Sequence, residues 1–271
     1  MPELPEVETT RRGITPHILG KRIQATDVRD GRLRWPVSDE IVAGLRGQRV
    51  HEVGRRGKYL LIRLDEGTVI AHLGMSGSLR VTRPDVAPKK HDHVDIRFDD
   101  EVCLRYHDPR RFGCLLWTRD DPLEHALLSG LGPEPLEDDF SGAYLHARSR
   151  GRVSAVKTFI MDSHLVVGVG NIYANEALFR AGINPGRQAG RISLSRYEAL
   201  AESIKNVLDE SIRQGGTTLR DFVNEAGKPG YFQQVLRVYG REGEPCRICG
   251  NDVRGVRLGQ RSTYWCPACQ R

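Results

Sequence analysis

Two groups of residues have the types and spacing to do chemistry, one near each end of the chain. The first is Met1-Pro2-Glu3-Leu4-Pro5-Glu6-Val7-Glu8. Pro2 is small enough for the initiator methionine to be removed, which would leave proline as the N-terminal residue with a free secondary amine. An α-amino group titrates near about 7.7–8.0, so a neutral, nucleophilic fraction exists at physiological pH; a lysine, near about 10.4, needs heavy desolvation to match it. Such an amine can attack an electrophilic carbon and form an iminium. Pro5 and the acids around it read as a helix opening, proline in the first turn and carboxylates at the positive end of the dipole. That helix would hold the amine rigidly, and its field favours the neutral form. Glu3 and Glu6 bring carboxyl groups within reach of whatever the amine attacks. Taken alone, the segment reads better as a capped helix start with surface glutamates.

The second group is Cys246-x2-Cys249, sixteen residues, then Cys266-x2-Cys269. This is a four-thiolate zinc pattern, predicting one structural Zn2+ in a closed tetrahedral site with no open position for a reacting water. The residues between the knuckles predict a β-hairpin carrying Arg257, Gln260 and Arg261, well placed to reach a phosphate. The two remaining cysteines, Cys103 and Cys114, fall in apparent strands and read as buried apolar groups. Nothing suggests a disulfide framework, so a reducing cytoplasm is the expected compartment.

The elements that must position these groups fall into two styles. A chain of 271 residues can bury two cores. From about Arg22 to Trp117, short runs rich in branched and aromatic residues alternate with turn signals at Asp30-Gly31, Asp65-Glu66-Gly67 and Asp99-Asp100. This predicts an antiparallel sandwich of about eight strands, His93–Phe98 alternating like a half-buried strand. Leu131-Gly132-Pro133-Glu134-Pro135 reads as the domain boundary. Beyond it the periodicity is helical. Asn171 is an expected N-cap for 172–181, with Gly182 at its stop. Ser195-Arg196-Tyr197-Glu198 is an expected capping box for a helix with Leu200, Ile204, Val207, Leu208 and Ile212 on one face.

The net charge of +6 and pI near 9.1 suggest a polyanionic partner. Distribution sharpens this. Residues 141–160 hold Arg148, Arg150, Arg152 and Lys157 with no acid, and 241–271 hold six arginines against three acids. The N-terminus lacks a signal-peptide pattern, and no apolar run approaches the about 20 residues of a membrane span. Leu165–Ala174 puts a glycine-rich turn before a helix, where free N–H groups and Asn171 make a phosphate site, although without a Walker ending it reads equally as a helix-turn-helix core. In the loops His72–Leu79 and Asp108–Gly113, Met75 and Phe112 are core residues or, beside Arg110, wedges that enter a duplex. Lys58, at a strand start, is a solvated charge or a catalytic cation.

Together these residues resemble the bacterial formamidopyrimidine-DNA glycosylases, which excise oxidised purines such as 8-oxoguanine. The resemblance spans the chain. It is carried by Pro2–Glu8, His72-Leu73-Gly74-Met75-Ser76-Gly77, Lys90-His91-Asp92-His93, Asp108–Gly113, Gly168–Ala174, Gly227-Lys228-Pro229-Gly230-Tyr231-Phe232 and the cysteine hairpin with Gln260-Arg261. It implies an α+β fold: an N-terminal antiparallel β-sandwich with a flanking helix (1–131), a helix-two-turn-helix domain with a lesion-recognition loop at 217–231 (132–240), and a zinc finger (241–271). DNA would bind in the cleft between the domains. It further implies Pro2 as the nucleophile at C1′, Glu3 as proton donor and shuttle, Lys58 as general acid for elimination, and Arg261 as a phosphate clamp that assists the second elimination. His91, Arg110 and Arg152 would contact DNA, Lys157 and Asn171 the phosphate flanking the flipped nucleotide. Met75, Arg110 and Phe112 would fill the gap left by the extruded base. Arg152 stands where lysine also occurs in the family, which keeps the charge and changes its geometry. The implied partner is double-stranded DNA with oxidised purines or abasic sites, bound by a cytoplasmic, bacterial monomer with no membrane association.

Three rivals remain at this point, the blandest a structural zinc protein that binds another protein, which leaves the basic zones unexplained. An enzyme resembling endonuclease VIII shares the Pro2-Glu3 chemistry but prefers oxidised pyrimidines. A non-catalytic zinc-ribbon DNA-binding protein explains the charge and the cysteines but gives no reason for the Pro2-Glu3 start or for Lys58.

Overall fold

The structure, a computed structural model, describes residues 2–215 and 236–271. The expected loop at 217–231 lies outside the described residues. The chain divides into two compact units, Met1–Ser129 and Gly130–Arg213 with 236–271. The division after Ser129 falls two residues before the expected boundary, so the Pro133-Glu134-Pro135 segment belongs with the helices.

The first unit begins with α1, Leu4–Ile18. Glu3 is its N-cap in an extended conformation, and a capping box closes the start: Glu3 and Glu6 each accept the other's backbone N–H, the Glu3 N–H reaching Glu6 Oε2 at 2.8 Å. Leu4, Val7, Ile14 and Ile18 share the buried face. Eight strands follow: β1 (Ile23–Val28), β2 (Glu52–Arg56), β3 (Tyr59–Arg63), β4 (Thr68–His72), β5 (Ser78–Thr82), β6 (Asp92–Phe98), β7 (Cys103–His107) and β8 (Cys114–Thr118). They form two antiparallel sheets, β1-β6-β7-β5 and β2-β3-β4-β8. Alternate residues Val94, Ile96, Leu104 and Tyr106 of one sheet and Leu60, Ile62, Val69 and Ala71 of the other join a single apolar cluster with Val7, Ile14 and Ile18. Burying one such aliphatic side chain is worth about 1.5–3 kcal/mol, against about 0–1 kcal/mol for an exposed ion pair, so this interior dominates the unit's stability.

Two features depart from the sequence expectation. A short helix, α2 (Asp39–Gly44), interrupts the β region. Ser38 precedes it, acids fill its first turn, and Ile41 and Leu45 are buried four residues apart. β6 is not half-buried, because its outward side is covered as well. There Asp95 is held by Arg105 and Arg29 at 2.8 Å each, and Asp92 by Arg80 at 2.5 Å and by His107 at 2.8 Å. Burial raises the Asp95 carboxyl, but the Arg105 and Arg29 hydrogen bonds outweigh it and leave a net lowering.

The second unit contains α3 (Gly142–Ser149), α4 (Val156–Ile160), α5 (Asn171–Arg180) and α6 (Leu194–Arg213), followed by β9 (Arg254–Leu258) and β10 (Arg261–Trp265), which pair as an antiparallel hairpin. α3 and α5 pack on α6, where Leu200, Ile204, Val207, Leu208 and Ile212 form the expected buried face. Both expected helix starts lie one residue off or more. α5 is capped by extended Gly170, leaving Asn171 as its first helical residue. α6 opens at Leu194, so Ser195 sits inside the first turn rather than at the cap. Among the described residues no helix is long and apolar enough to cross a membrane.

Glu8 fastens α1 to β2. It accepts from Arg11 and Arg12 at 2.8 Å and from Arg55 at 3.2 Å. Burial raises its carboxyl, yet these arginines prevail and hold it at about 2. A carboxyl lowered on folding contributes stability that is complete above its unfolded value near 4.5 and lost as pH falls through about 2. Glu8→Gln should therefore remove up to about 3 kcal/mol at neutral pH and flatten the acid limb between pH 5 and 2. Denaturant unfolding across that range checks it; an unchanged acid limb would contradict the assignment.

Candidate nucleic-acid interface and metal centre

The first unit carries Pro2, Glu3, Lys58, Met75, His91, Arg110 and Phe112. Pro2 is buried, and Glu3 is 2 % exposed at the capped start of α1. Lys58 occupies the two-residue turn Gly57-Lys58 between β2 and β3, across which Arg56 pairs with Tyr59. Gly57 has φ +57° while Lys58 keeps a negative φ, the pattern of a type II′ hairpin turn. Arg55 donates to the Gly57 carbonyl at 2.9 Å and fixes that turn from the strand. Beside Lys58 lies a residue with no assigned role in the sequence reading, His72. Burial, then the charges of Lys58 and Arg34, push its imidazole down to about 4, so it is neutral at physiological pH. Its Nδ1 accepts the Gly74 N–H at 3.0 Å, which leaves Nε2 as the protonated nitrogen.

Met75 lies between β4 and β5, and Arg110 and Phe112 between β7 and β8. The two loops touch through backbone. A Cβ on Gly74, whose φ is +64°, would lie 2.5 Å from the Gly113 nitrogen, and one on Gly113 would lie 1.9 Å from the Tyr106 hydroxyl. Only glycine fits at either place. Phe112 is 46 % exposed, and the exposed Arg110 sets its guanidinium 4.9 Å from the Phe112 ring centroid. Met75 is half-buried. His91 has φ +74°, and its ring stands edge-on to His93 and His107 at 6.1 and 6.2 Å.

The second unit carries Arg152, Lys157, Asn171 and Arg261. Arg148, Arg152, Lys157, His164 and Arg261 line a cleft of about 500 Å³. Arg152 and Arg261 are exposed at it. Lys157 is different: it is 1 % exposed, and its ammonium donates to Asn171 Oδ1 at 2.6 Å, to the Ser262 carbonyl at 2.9 Å and to the Thr263 hydroxyl at 2.7 Å. It thus joins α4 to the start of α5 and to β10. Asn175 completes this joint, donating to the Asn171 carbonyl at 2.6 Å and accepting the Tyr264 N–H at 2.7 Å. An asparagine one helical turn beyond Asn171 was the available sequence signal. Glu176 gave none: this 3 % exposed carboxylate accepts three successive N–H groups, of Arg237, Val238 and Tyr239, at 2.8–3.0 Å.

The four cysteines converge, their sulfur atoms all within 4.8 Å of one another. Cys246 and Cys269 sulfurs are 3.9 Å apart, and those of Cys249 and Cys266 3.4 Å. Zn–S bonds of about 2.3 Å at tetrahedral angles require S···S separations of about 3.8 Å, so the thiolate set fits zinc. The hairpin it braces turns at Gly259-Gln260, both at positive φ (54° and 61°), a type I′ pattern that sets Gln260 and Arg261 at the tip.

Comparisons with known proteins converge on one family. The formamidopyrimidine-DNA glycosylase N-terminal domain matches residues 1–115, the formamidopyrimidine-DNA glycosylase H2TH domain matches 131–223, and a zinc finger found in FPG and IleRS matches 243–271. The chain is 67% identical to the formamidopyrimidine-DNA glycosylase of Methylococcus capsulatus and 57% identical to that of Hahella chejuensis, each over 271 residues and the whole of both chains. Among solved structures it is similar to the MutM (Fpg) protein of Thermus thermophilus, with TM-score 0.88 and 39% identity over 99% of this chain and 98% of that one. It is also similar to the Lactococcus lactis Fpg in complex with a Fapy-dG-containing DNA, with TM-score 0.90 and 33% identity over 99% and 100%.

The thiolate geometry generates a direct test. Cys246→Ser should release the zinc, measured by metal analysis of the purified chain, and unravel the hairpin that supplies the Ser262 and Thr263 oxygens to Lys157. Full zinc retention by that variant would contradict the four-thiolate site.

Proposed function

The chain belongs to the formamidopyrimidine-DNA glycosylase family, and on that premise we propose that it removes oxidised purines, 8-oxoguanine and formamidopyrimidines, from duplex DNA and cleaves the strand at the abasic site that results. The observation that carries this reading is the start of the chain. Pro2 is buried directly before a glutamate that caps a rigid helix, an arrangement a DNA-binding module without chemistry does not need.

Removal of Met1 frees the Pro2 amine. That amine attacks C1′ of the damaged nucleotide, the bond to the base breaks, and the base leaves with a proton. Glu3 protonates the sugar ring oxygen as the ring opens, giving the iminium. The iminium acidifies the C2′ protons; loss of one expels the 3′-phosphate, and a second elimination expels the 5′-phosphate. Lys58, held in its tight turn, serves as general acid in the elimination, and Arg261 clamps phosphate and assists the second one. His91, Arg110, Arg152 and Asn171 contact DNA. Lys157, its ammonium committed to Asn171 and β10, acts on the phosphate through the orientation of Asn171. Met75, Arg110 and Phe112 fill the space of the extruded base, offsetting an unstacking cost of a few kcal/mol. Zinc, held by Cys246, Cys249, Cys266 and Cys269, supplies rigidity to the hairpin bearing Arg261 and takes no part in bond breaking. The relatives solved with Fapy-dG-containing and abasic DNA support this substrate class. The reading places the chain in the bacterial cytoplasm, acting as a monomer.

Borohydride trapping tests it. A duplex with 8-oxoguanine opposite cytosine should give a covalent adduct mapped to Pro2, and an undamaged duplex none. A residue retained before Pro2 should abolish the adduct, and Glu3→Gln should stall excision while leaving affinity for damaged DNA largely intact. Trapping with oxidised pyrimidines in preference would move the chain to the endonuclease VIII-like class. No adduct from protein with a free Pro2 and bound zinc would leave a non-catalytic DNA binder.

A further inference from the structure

Asp108 has no place in the chemistry above, yet it sits where the parts of the wedge meet. Its side chain is 0 % exposed. Oδ2 accepts the Gly113 N–H at 2.9 Å, Oδ1 accepts the Arg110 N–H at 3.2 Å, and the Ser76 hydroxyl approaches Oδ1 at 3.5 Å. Its backbone is equally occupied. The N–H donates to the His91 carbonyl at 3.0 Å, and the carbonyl accepts from His93 Nε2 at 2.8 Å and the Arg111 N–H at 3.3 Å. One residue therefore binds the loop of Met75, the loop of Arg110 and Phe112, and the turn of His91. The conformation it holds is not one these loops would keep alone. Arg111 has φ +57° and His91 φ +74°, left-handed values that disfavour side chains with a Cβ.

We propose that Asp108 is a positioning residue: its buried carboxyl locks the two wedge loops and the His91 turn into one body, so that Met75, Arg110 and Phe112 enter the duplex already ordered. The inference rests on the glycosylase reading and deepens it. A side chain that fills the gap of an extruded base offsets lost stacking only if it does not first have to be ordered. Asp108 should accordingly matter more for extruding a stacked, paired 8-oxoguanine than for engaging a site that already lacks its base.

The test is Asp108→Asn, a near-isosteric change that turns an N–H2 toward one of the two backbone donors. Single-turnover excision of 8-oxoguanine and cleavage of an abasic site in the same duplex are measured with the zinc-loaded chain. Both rates are normalised to the fraction of molecules trapped by borohydride on the abasic duplex, so unfolded protein drops out of the comparison. The ratio of excision to abasic cleavage should fall about tenfold, the loss typical of one hydrogen bond to a buried charged group. In a Met75→Ala/Arg110→Ala/Phe112→Ala background the same substitution should change that ratio less than about twofold, because the side chains it positions are gone. An unchanged ratio in the Asp108→Asn chain, or an equal fall in both backgrounds, would overturn the proposal and leave Asp108 a general folding residue. Failure of the glycosylase reading would look different, since the unsubstituted chain would then neither excise nor trap.

Discussion

A reactive group at the end of a polypeptide, the part proposed for Pro2, is tethered from one side only, so its position is no better defined than the first turn that follows it. Here that turn is fixed twice over. Glu3 and Glu6 exchange backbone hydrogen bonds at the helix start, and one turn later Glu8 gathers Arg11, Arg12 and Arg55. Arg11 also donates to the Val53 carbonyl, so α1 is stitched to β2 by main chain and side chain. Arg55 stands two residues from Gly57 and reaches that carbonyl. The helix that presents Pro2 and the turn that presents Lys58 thus share one buried anchor, and neither can shift without the other.

The second unit solves a related problem with a cation. Arginines that are to attract a polyanion must remain solvated, yet the elements carrying them need a fixed mutual register. Lys157 supplies the register from beneath: its ammonium is spent on Asn171 and on two oxygens of β10, while Arg152 and Arg261 stay exposed at the cleft. Asn175 repeats the connection one turn along α5. Positive charge is divided between a buried keel, Lys157, and an exposed rim, Arg152 and Arg261.

The sequence carried whatever is encoded locally. Four cysteines at metal spacing, a proline-led acidic helix start, and strand breaks at Asp65-Glu66-Gly67 and Asp99-Asp100 depend on near neighbours, and each is found where expected. What escaped was set by distant partners. The outward face of β6 looked solvated because Arg29 and Arg105, which bury Asp95, are 66 and 10 residues away. Asn171 has the right chemistry for a cap, but Lys157 claims its oxygen and the cap passes to Gly170. α2 is a single short turn or two, too brief for a periodic signal. His72, Asp108 and Glu176 stood in legible segments, but their hydrogen bonds to backbone leave no trace in residue type.

The crossing of Gly74 over Gly113 bears on how this protein can vary. Surface loops ordinarily accept insertions and deletions, and their lengths drift freely among relatives. These two are in backbone contact at a point where neither tolerates even a methyl group. A residue added to either would lift it off the other and separate Met75 from Phe112. Their lengths are therefore heritable only as a pair, and a change in one becomes tolerable only after its counterpart has changed to match.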